Sequence, residues 1–303
     1  MDLVFALLIG CQSKVSPLSA DIRPAATIVL VREGQGEEGP PEIFFVKRHH
    51  RSGFMANAYV FPGGRLDAGD CDETLQSRVD GNREHLSARM VGTAEEGTAV
   101  AHALAAIRET YEEAGILLAQ RDSSPVSLTV DSVRDRFCAH RKALNAGEMS
   151  FRDLLEKEDL RVSLNDVHYF ANWITPVIEK RRYNARFFVA AAPDGQAGSH
   201  DEIETTDSCW LSAEDALAAY DQGGFALAPP TWRILRDLRA FGHVSDVIDW
   251  ARGLAAVRPI MPHFLQSDGM TVLTLPGDHE HPESGGNSKF NRVVLRDGRW
   301  WDA

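Results

Sequence analysis

The sequence predicts an α/β (α+β) domain in which a mixed β-sheet lies between layers of helices. Two β-rich runs, residues 26–31 and 42–46, flank a loop rich in Gly and Glu, an arrangement typical of a hairpin. Residues 98–114 show the apolar period of a long helix. Further strands and helices intermix without a regular βαβ alternation, which favours a mixed-sheet α/β/α sandwich or an α+β domain.

The segments before and after this helix are predicted in turn. Residues 58–61 form a third β-rich run that stops at Pro62-Gly63-Gly64. Residues 65–97 are polar and acidic without a clear apolar period, so we expect an insertion or a mobile loop there. Gly115 stands where a helix C-cap glycine is expected. The apolar residues that share one face of the 98–114 helix are Val100, Ala103, Leu104, Ile107, Tyr111 and Ala114.

The second half of the chain predicts shorter elements. Ser212, with Asp215 three residues later, resembles an N-cap that opens a helix through Tyr220. A Pro229-Pro230 break precedes two C-terminal helices. The remaining predicted helices lie at 133–144, 151–155, 231–241 and 244–254. The remaining predicted strands lie at 169–174, 186–192 and 292–295, and one more strand ends at Trp210-Leu211.

Length and composition suit a globular protein with its own core. The 303 residues, 44% of them hydrophobic, fit one large domain or two modest ones. We predict an N-terminal extension over 1–23, a main domain over 24–257 that includes the 65–97 insertion, and a C-terminal extension over 258–303. The apolar run at residues 3–11 is too short for a membrane span and lacks a basic region before it.

Charge and cysteine usage exclude several classes of protein. The formal net charge of −12 would repel a phosphate backbone, so we expect no nucleic-acid partner. The four cysteines form no CxxC pair, which argues against a zinc cage or a disulfide framework and favours reduced thiols in a cytoplasm. We also expect no membrane partner, and the sequence leaves a homodimer open.

The chemistry is concentrated at the end of the 98–114 helix. On a helix, Glu109, Glu112 and Glu113 place their carboxylates on one face. Such a cluster repels itself unless a cation lies in it, and Mg²⁺ or Mn²⁺ supplies that charge with oxygen coordination. Arg108 can pair with Glu112 four residues later. A solvated acidic helix face is the alternative interpretation, and Gly63-Gly64 after a strand, where backbone can approach a metal or phosphate closely, argues against it.

The combination of FPGG and, farther along, REx₂EExG resembles the signature of the Nudix hydrolases, Gx₅Ex₇REUxEExGU, where U is a bulky aliphatic residue. The chain departs from this signature at three points. Gly64 and Arg108 lie 44 positions apart instead of 14, which implies about 30 inserted residues. The position eight before Arg108, where the signature has glutamate, holds Val100. Thr110 also replaces the aliphatic residue. The resemblance implies that the missing glutamate is structural, so the metal cluster survives.

Several flanking segments, over about residues 24 to 240, resemble the peroxisomal coenzyme A diphosphatase branch of this superfamily and its bacterial relatives. They include 51–64, 173–176, 181–188 and 210–217. The chain ends in Trp301-Asp302-Ala303 rather than an SKL-type address, which favours a cytoplasmic setting over a peroxisome. The resemblance implies a Nudix fold, a metal site and, less specifically, coenzyme A or acyl-CoA as the substrate.

The resemblance and the chemistry of phosphate binding together define candidate site residues. We expect Glu109, Glu112, Glu113 and the Gly64 carbonyl to hold Mg²⁺ or Mn²⁺, with Arg108 beside them. A later acidic loop offers Glu204 as an extra carboxylate, although a solvated loop is an alternative. Either Glu113 or Glu204 accepts the proton of the attacking water. Candidates for binding the substrate are Arg48, Arg51, Phe61, Arg182 and Arg186.

The sequence therefore predicts metal-assisted hydrolysis of a diphosphate linkage in a small nucleoside diphosphate derivative, with coenzyme A or acyl-CoA as the first choice. Two alternatives stay open. One is a pyrophosphatase of ADP-ribose, NADH or nucleotide sugars. The other is a Nudix-fold regulatory module that binds its ligand without cleaving it, for which Val100 and the long insertion are the only support.

Overall fold

The computed structural model describes residues 22–34, 39–50, 55–92, 96–201, 203–267, 269–284 and 291–303. The strands are β1 (Ile22–Arg32), β2 (Glu42–Arg48), β3 (Tyr59–Val60), β4 (Gly63–Arg65), β5 (Val79–Asp80), β6 (Gln120–Arg121), β7 (Ser124–Pro125), β8 (Val162–Ser163), β9 (His168–Ile174), β10 (Arg182–Ala191), β11 (Thr205–Ser212), β12 (His263–Ser267), β13 (Met270–Thr274), β14 (Arg292–Arg296) and β15 (Arg299–Asp302). The helices are α1 (Glu73–Gln76), α2 (Arg83–Arg89), α3 (Glu96–Ala114), α4 (Asp131–Asn145), α5 (Phe151–Lys157), α6 (Ala213–Asp221), α7 (Pro229–Leu238) and α8 (Val244–Gly253).

A seven-stranded mixed sheet forms the centre of the molecule. Its main path runs β11-β2-β1-β10-β9, with β3 paired to β2 and β4 paired to β1. β1 and β10 are parallel, and the other pairs of this sheet are antiparallel. Val31 of β1 faces Ile43 of β2 across an antiparallel pair, so the predicted hairpin is confirmed.

Both faces of the sheet are buried. Along β1, Ile28 and Leu30 belong to the apolar core on the α3 side, while Val29 and Val31 belong to the core on the opposite side with α6, α7 and α8. Side chains alternate between the faces of a strand, so a run that is apolar at every position covers both. The molecule is an α/β/α sandwich with a mixed sheet and added C-terminal helices, as the sequence predicts.

The segment after β4 differs from the expected insertion or mobile loop. It begins with a short 3₁₀ helix, Ala68–Cys71, and continues through α1, β5 and α2. Leu75, Val79, Leu86 and Met90 from this segment are buried in the core on the α3 side. Elements of two to seven residues are too short to show an apolar period. The prediction of a loop was therefore wrong, although the segment is an addition to the usual motif spacing.

The last 41 residues, from β12 onward, also contain more regular structure than expected. The sequence predicts a strand at 292–295, and the structure adds β12, β13 and β15 to it in a four-stranded antiparallel sheet. The Trp300 N–H donates to the hydroxyl of Tyr220 on α6, which ties this sheet to the sandwich. No helix in the described ranges is long and apolar enough to cross a membrane.

Candidate functional site

Three carboxylates occupy the last turns of α3. Glu112 and Glu113 follow Glu109 by about one helical turn, so the three side chains leave the helix on one side. The side chain of Glu109 is 15% exposed and that of Glu112 is 21% exposed, and Glu113 is buried. The acidic face is recessed in the protein, which distinguishes it from a solvated helix surface.

The backbone of β4 lies directly against these carboxylates. The Gly63 N–H donates to Oε2 of Glu113 over 3.0 Å. A Cβ atom added to Gly64 would overlap the carboxylate of Glu109. Glycine is needed at position 64 for this close approach, because any side chain would displace a carboxylate from the cluster.

Arg108 is a buried cation beside the cluster. Its Nη1 donates to Glu109 over 3.0 Å and to Glu112 over 2.9 Å. Its Nε and Nη2 donate to the two carboxylate oxygens of Asp70 over 2.9 and 3.0 Å. Burial disfavours the guanidinium charge, but the bonds to Asp70 and the nearby glutamates outweigh it and raise the pKa of Arg108. The guanidinium is thus charged and fixed.

Asp70 was missed in the sequence and corrects the assignment of Val100. Counting six positions forward from Gly64, the spacing of Gx₅E, leads to Asp70. Asp70 is 1% exposed and binds Arg108 with both oxygens. The inserted residues therefore lie between the acidic position and Arg108, and Val100 is a buried core residue of α3. This removes the main support for a regulatory module that no longer hydrolyses its ligand.

The electrostatics of the cluster indicate a shortage of positive charge. Burial raises the pKa of Glu109 to about 7, with repulsion from Glu112 adding to the effect and Arg108 opposing it. Burial also raises the pKa of Glu112. Burial and repulsion from Glu109 raise the pKa of Glu113 well above its usual range. Ionised carboxylates at this density need a further cation, and a set of oxygen donors fits Mg²⁺ or Mn²⁺.

Glu204 approaches the cluster from the loop before β11. Its carboxylate is close enough to Glu109 and Glu113 to raise the pKa values of both. The Glu204 carbonyl accepts the His49 N–H over 2.9 Å, which fixes the loop to the end of β2. Arg48, the last residue of β2, lies close enough to Glu113 to lower its pKa. The structure thus brings Glu204 and Arg48 to the carboxylates of α3.

The other candidates for binding substrate are placed elsewhere, and Arg51 lies outside the described residues. Phe61 is buried in the core opposite α3, with its ring centroid 5.4 Å from that of Phe45. Arg182 donates to the Thr175 carbonyl over 3.0 Å. Arg186 donates to His102 over 2.7 Å. His102 precedes Glu109 by seven residues, or roughly 10 Å along α3. Phe61, Arg182 and Arg186 therefore have structural partners inside the protein. For Arg48 and Arg51, substrate binding stays a prediction.

The glycine pair at a strand end, the recessed carboxylate helix and the buried arginine define a domain of the Nudix class. A family model described as the NUDT19 Nudix domain matches residues 22–238. Because the match covers more than two-thirds of the chain, this protein belongs to that family.

Curated relatives and solved structures agree with this assignment. The chain is 27% identical to the acyl-coenzyme A diphosphatase NUDT19 of Xenopus laevis over 312 residues, which cover 85% of this chain and 81% of the relative. It is 26% identical to the human protein of the same name, with 95% and 90% covered. The crystal structure of a NUDIX hydrolase from Alicyclobacillus acidocaldarius matches with a TM-score of 0.59 and 26% identity, over 76% of this chain and 97% of that one.

Proposed function

We propose that this protein is a divalent-metal-dependent diphosphatase that hydrolyses coenzyme A or acyl-CoA. The observation that carries the proposal is the recessed cluster of Glu109, Glu112 and Glu113 against the backbone of Gly63 and Gly64. The names of the relatives support the choice of substrate. Hydrolysis would yield 3′,5′-ADP and a phosphopantetheine product.

The groups that would hold Mg²⁺ or Mn²⁺ are the carboxylates of Glu109, Glu112 and Glu113 and the carbonyl of Gly64. When bound, the ion neutralises diphosphate oxygens and stabilises the charge that develops on the leaving group. Arg108 holds Glu109 and Glu112 in fixed rotamers through its 3.0 and 2.9 Å bonds. These bonds keep the donor set in place before the substrate arrives.

Water is the nucleophile in the proposed reaction, and a glutamate accepts its proton as it attacks phosphorus. Glu113 and Glu204 are the two candidates for this base. One oxygen of Glu113 already accepts the Gly63 N–H, while Glu204 reaches Glu109 and Glu113 from the loop before β11. The P–O bond of the diphosphate breaks as the new bond to the water oxygen forms.

The substrate assignment also proposes a cationic contact for the 3′-phosphate, which distinguishes coenzyme A from ADP-ribose. Arg48, at the end of β2 and close to Glu113, is in a suitable place for a phosphate group. Arg51 is three residues further along the chain.

We also propose a reducing, cytoplasmic setting, supported by the free thiols of Cys71, Cys138 and Cys209 among the described residues.

The first test measures hydrolysis of acyl-CoAs, ADP-ribose, NADH and nucleotide sugars with Mg²⁺ or Mn²⁺. We expect Glu112→Gln and Glu113→Gln to lower the rate by orders of magnitude, because each removes an oxygen ligand of the ion. Glu96→Gln, at the exposed start of the same helix, is the matched control and should keep full activity. Turnover at the wild-type rate in both site variants, with unchanged stability, would exclude these glutamates from the mechanism.

The second test addresses the substrate. A site that pairs a phosphate with a cation discriminates against a ligand without that phosphate. We therefore expect Arg51→Gln or Arg48→Gln to weaken the hydrolysis of coenzyme A more than that of 3′-dephospho-coenzyme A. A kcat/KM for ADP-ribose or NADH about tenfold or more above that of every CoA thioester would refute the coenzyme A assignment.

A further inference from the structure

The loop that carries Glu204 is anchored to the end of the carboxylate helix. The Ser199 N–H donates to the Ala114 carbonyl of α3 over 2.8 Å. This bond satisfies one of the carbonyls left without a partner at a helix C-terminus. Gly198 packs closely on Ile116 and Phe44, where a Cβ atom would lie 2.9 Å from each side chain. The start of the loop is thus held on α3, next to the metal-binding glutamates.

Arg141 of α4 joins the same two elements with one guanidinium group. Its Nε donates to the Glu112 carbonyl over 2.9 Å. Its Nη1 and Nη2 donate to the hydroxyl and carbonyl of Ser199 over 3.2 and 3.0 Å. Gly115 leaves the space for this group, because a Cβ atom there would lie 2.8 Å from Nη1. A positive charge at this end of α3 also interacts favourably with the helix dipole.

The contacts of Arg141 with Glu112 and Ser199 form a clamp between α3 and the loop. Asp201 connects this clamp to Glu204. Its carboxylate accepts the backbone N–H groups of Ile203, Glu204 and Thr205 over 3.1, 3.1 and 2.9 Å. Thr205 then begins β11, opposite Arg48 of β2. The described residues of this loop are therefore fixed at Ser199 by Arg141, at 203–205 by Asp201 and from Thr205 onward by the sheet.

We infer that Arg141 is a positioning residue that sets the Glu204 carboxylate against Glu109 and Glu113. The inference rests on the proposed function, in which Glu204 acts in the metal site. A guanidinium can bind two elements at once because its donors form a rigid planar fork. A lysine in its place offers one point of attachment and would lose the bond either to the Glu112 carbonyl or to Ser199. Loss of the clamp changes where Glu204 lies but leaves its chemistry intact.

The first measurement follows the loop without reference to activity. In Arg141→Lys, we expect the amide hydrogens of Ile203, Glu204 and Thr205 to exchange about tenfold faster than in the wild type, because the turn opens more often. Arg134→Lys is the matched control, since Arg134 lies on the same helix and pairs with Asp131 on the surface. Unchanged exchange in Arg141→Lys would overturn the inference.

The second measurement is a double-mutant cycle on kcat. We expect Arg141→Lys to lower kcat about 10- to 100-fold, the usual effect of losing a group that orients a metal or substrate ligand. In the Glu204→Gln background the same change should cost no more than about twofold, because the group it positions has already been disabled. Equal losses in both backgrounds would mean that Arg141 acts through general stability, and the inference would be wrong.

The two measurements separate this inference from the proposed function. If the wild type hydrolyses no diphosphate substrate with Mg²⁺ or Mn²⁺, the proposed function fails, and amide exchange alone decides whether Arg141 positions the loop. If Arg141→Lys does not fold, Ser199→Ala takes its place. That variant removes only the hydroxyl contact, and it should change exchange and kcat in the same direction by about threefold.

Discussion

Asp70 shows how much one residue contributes to the arrangement of this site. It is buried, and its partner Arg108 lies 38 positions along the chain. Arg108 in turn contacts two of the three carboxylates on α3. A carboxylate outside the glutamate cluster therefore orients carboxylates inside it through Arg108, and in the proposed function Asp70 acts as a partner behind the metal ligands.

Replacing Asp70 by Asn should weaken metal binding about 10- to 100-fold, because the neutral amide cannot hold the Arg108 fork. Mn²⁺ titration of the free protein measures this directly. Asp67→Asn is the control, because Asp67 is largely exposed and lies 3.8 Å from the same guanidinium. Equal metal affinity in Asp70→Asn and the wild type would show that Arg108 does not depend on Asp70.

At the scale of elements, α3 is buried along most of its length, and its polar groups are paired inside the core. His102 is 2% exposed, and its Nδ1 lies 2.7 Å from the Thr98 carbonyl. Its Nε2 accepts from Arg186 over 2.7 Å. Because Nε2 is an acceptor here, the ring must be neutral with its proton on Nδ1. Burial, helped by the charge of Arg186, lowers the pKa of His102 to about 4.

This histidine should make the folded protein sensitive to acid. The folded-state pKa of His102, about 4, lies below its ordinary value of 6.5. The neutral buried ring therefore contributes in full to the free energy of unfolding above pH 6.5, and this contribution is lost as the pH falls towards 4. The loss amounts to about 3 kcal/mol at most. We expect His102→Gln, which keeps an acceptor for Arg186, to reduce the change in unfolding free energy between pH 7 and 4.

Urea denaturation in the presence of EDTA measures this effect. The raised pKa values of Glu109 and Glu113 act in the opposite sense, so the informative quantity is the difference between variant and wild type. His243→Gln, at an exposed position before α8, should leave the pH dependence as it is. The same pH dependence in His102→Gln and the wild type would contradict the assignment of a neutral, buried His102.

At the scale of the whole molecule, the C-terminal sheet shares a core with the sandwich. Leu273 and Leu275 of this region and Val293 of β14 belong to the same apolar cluster as Ile43 of β2 and Trp232 of α7. Arg299 also donates to the backbone at the end of α6. The boundary predicted near residue 258 therefore separates segments of the sequence, while the apolar core continues across it.

This shared core predicts that the protein unfolds in one cooperative transition. Leu273→Ala should destabilise the whole molecule by about 2–5 kcal/mol, the usual range for a buried leucine, and calorimetry should show a single peak at lower temperature. Val177→Ala, at a residue that is 69% exposed, should change the stability by less than about 0.5 kcal/mol. Two peaks, of which only the smaller one moves, would mean that the C-terminal sheet is an independent unit.

The sequence by itself determined the parts of the protein that depend on local spacing. The α3 helix, its C-cap at Gly115 and the shared side of Glu109, Glu112 and Glu113 follow from the helical period. The strands of the hairpin and the N-cap at Ser212 follow from short patterns of the same kind. The family was also identifiable, because FPGG after a strand and REx₂EExG on a helix each keep their own local spacing although about 30 residues are inserted between them.

Only the tertiary structure decided which distant residues meet. The pairing of Arg108 with Asp70, the approach of Gly64 to Glu109 and the clamp of Arg141 on Ser199 join residues between 38 and 58 positions apart. No local pattern encodes such contacts, because each depends on how whole elements pack on the sheet. The same reason explains the burial of Arg186, which the sequence placed in the substrate site and which the fold places against His102.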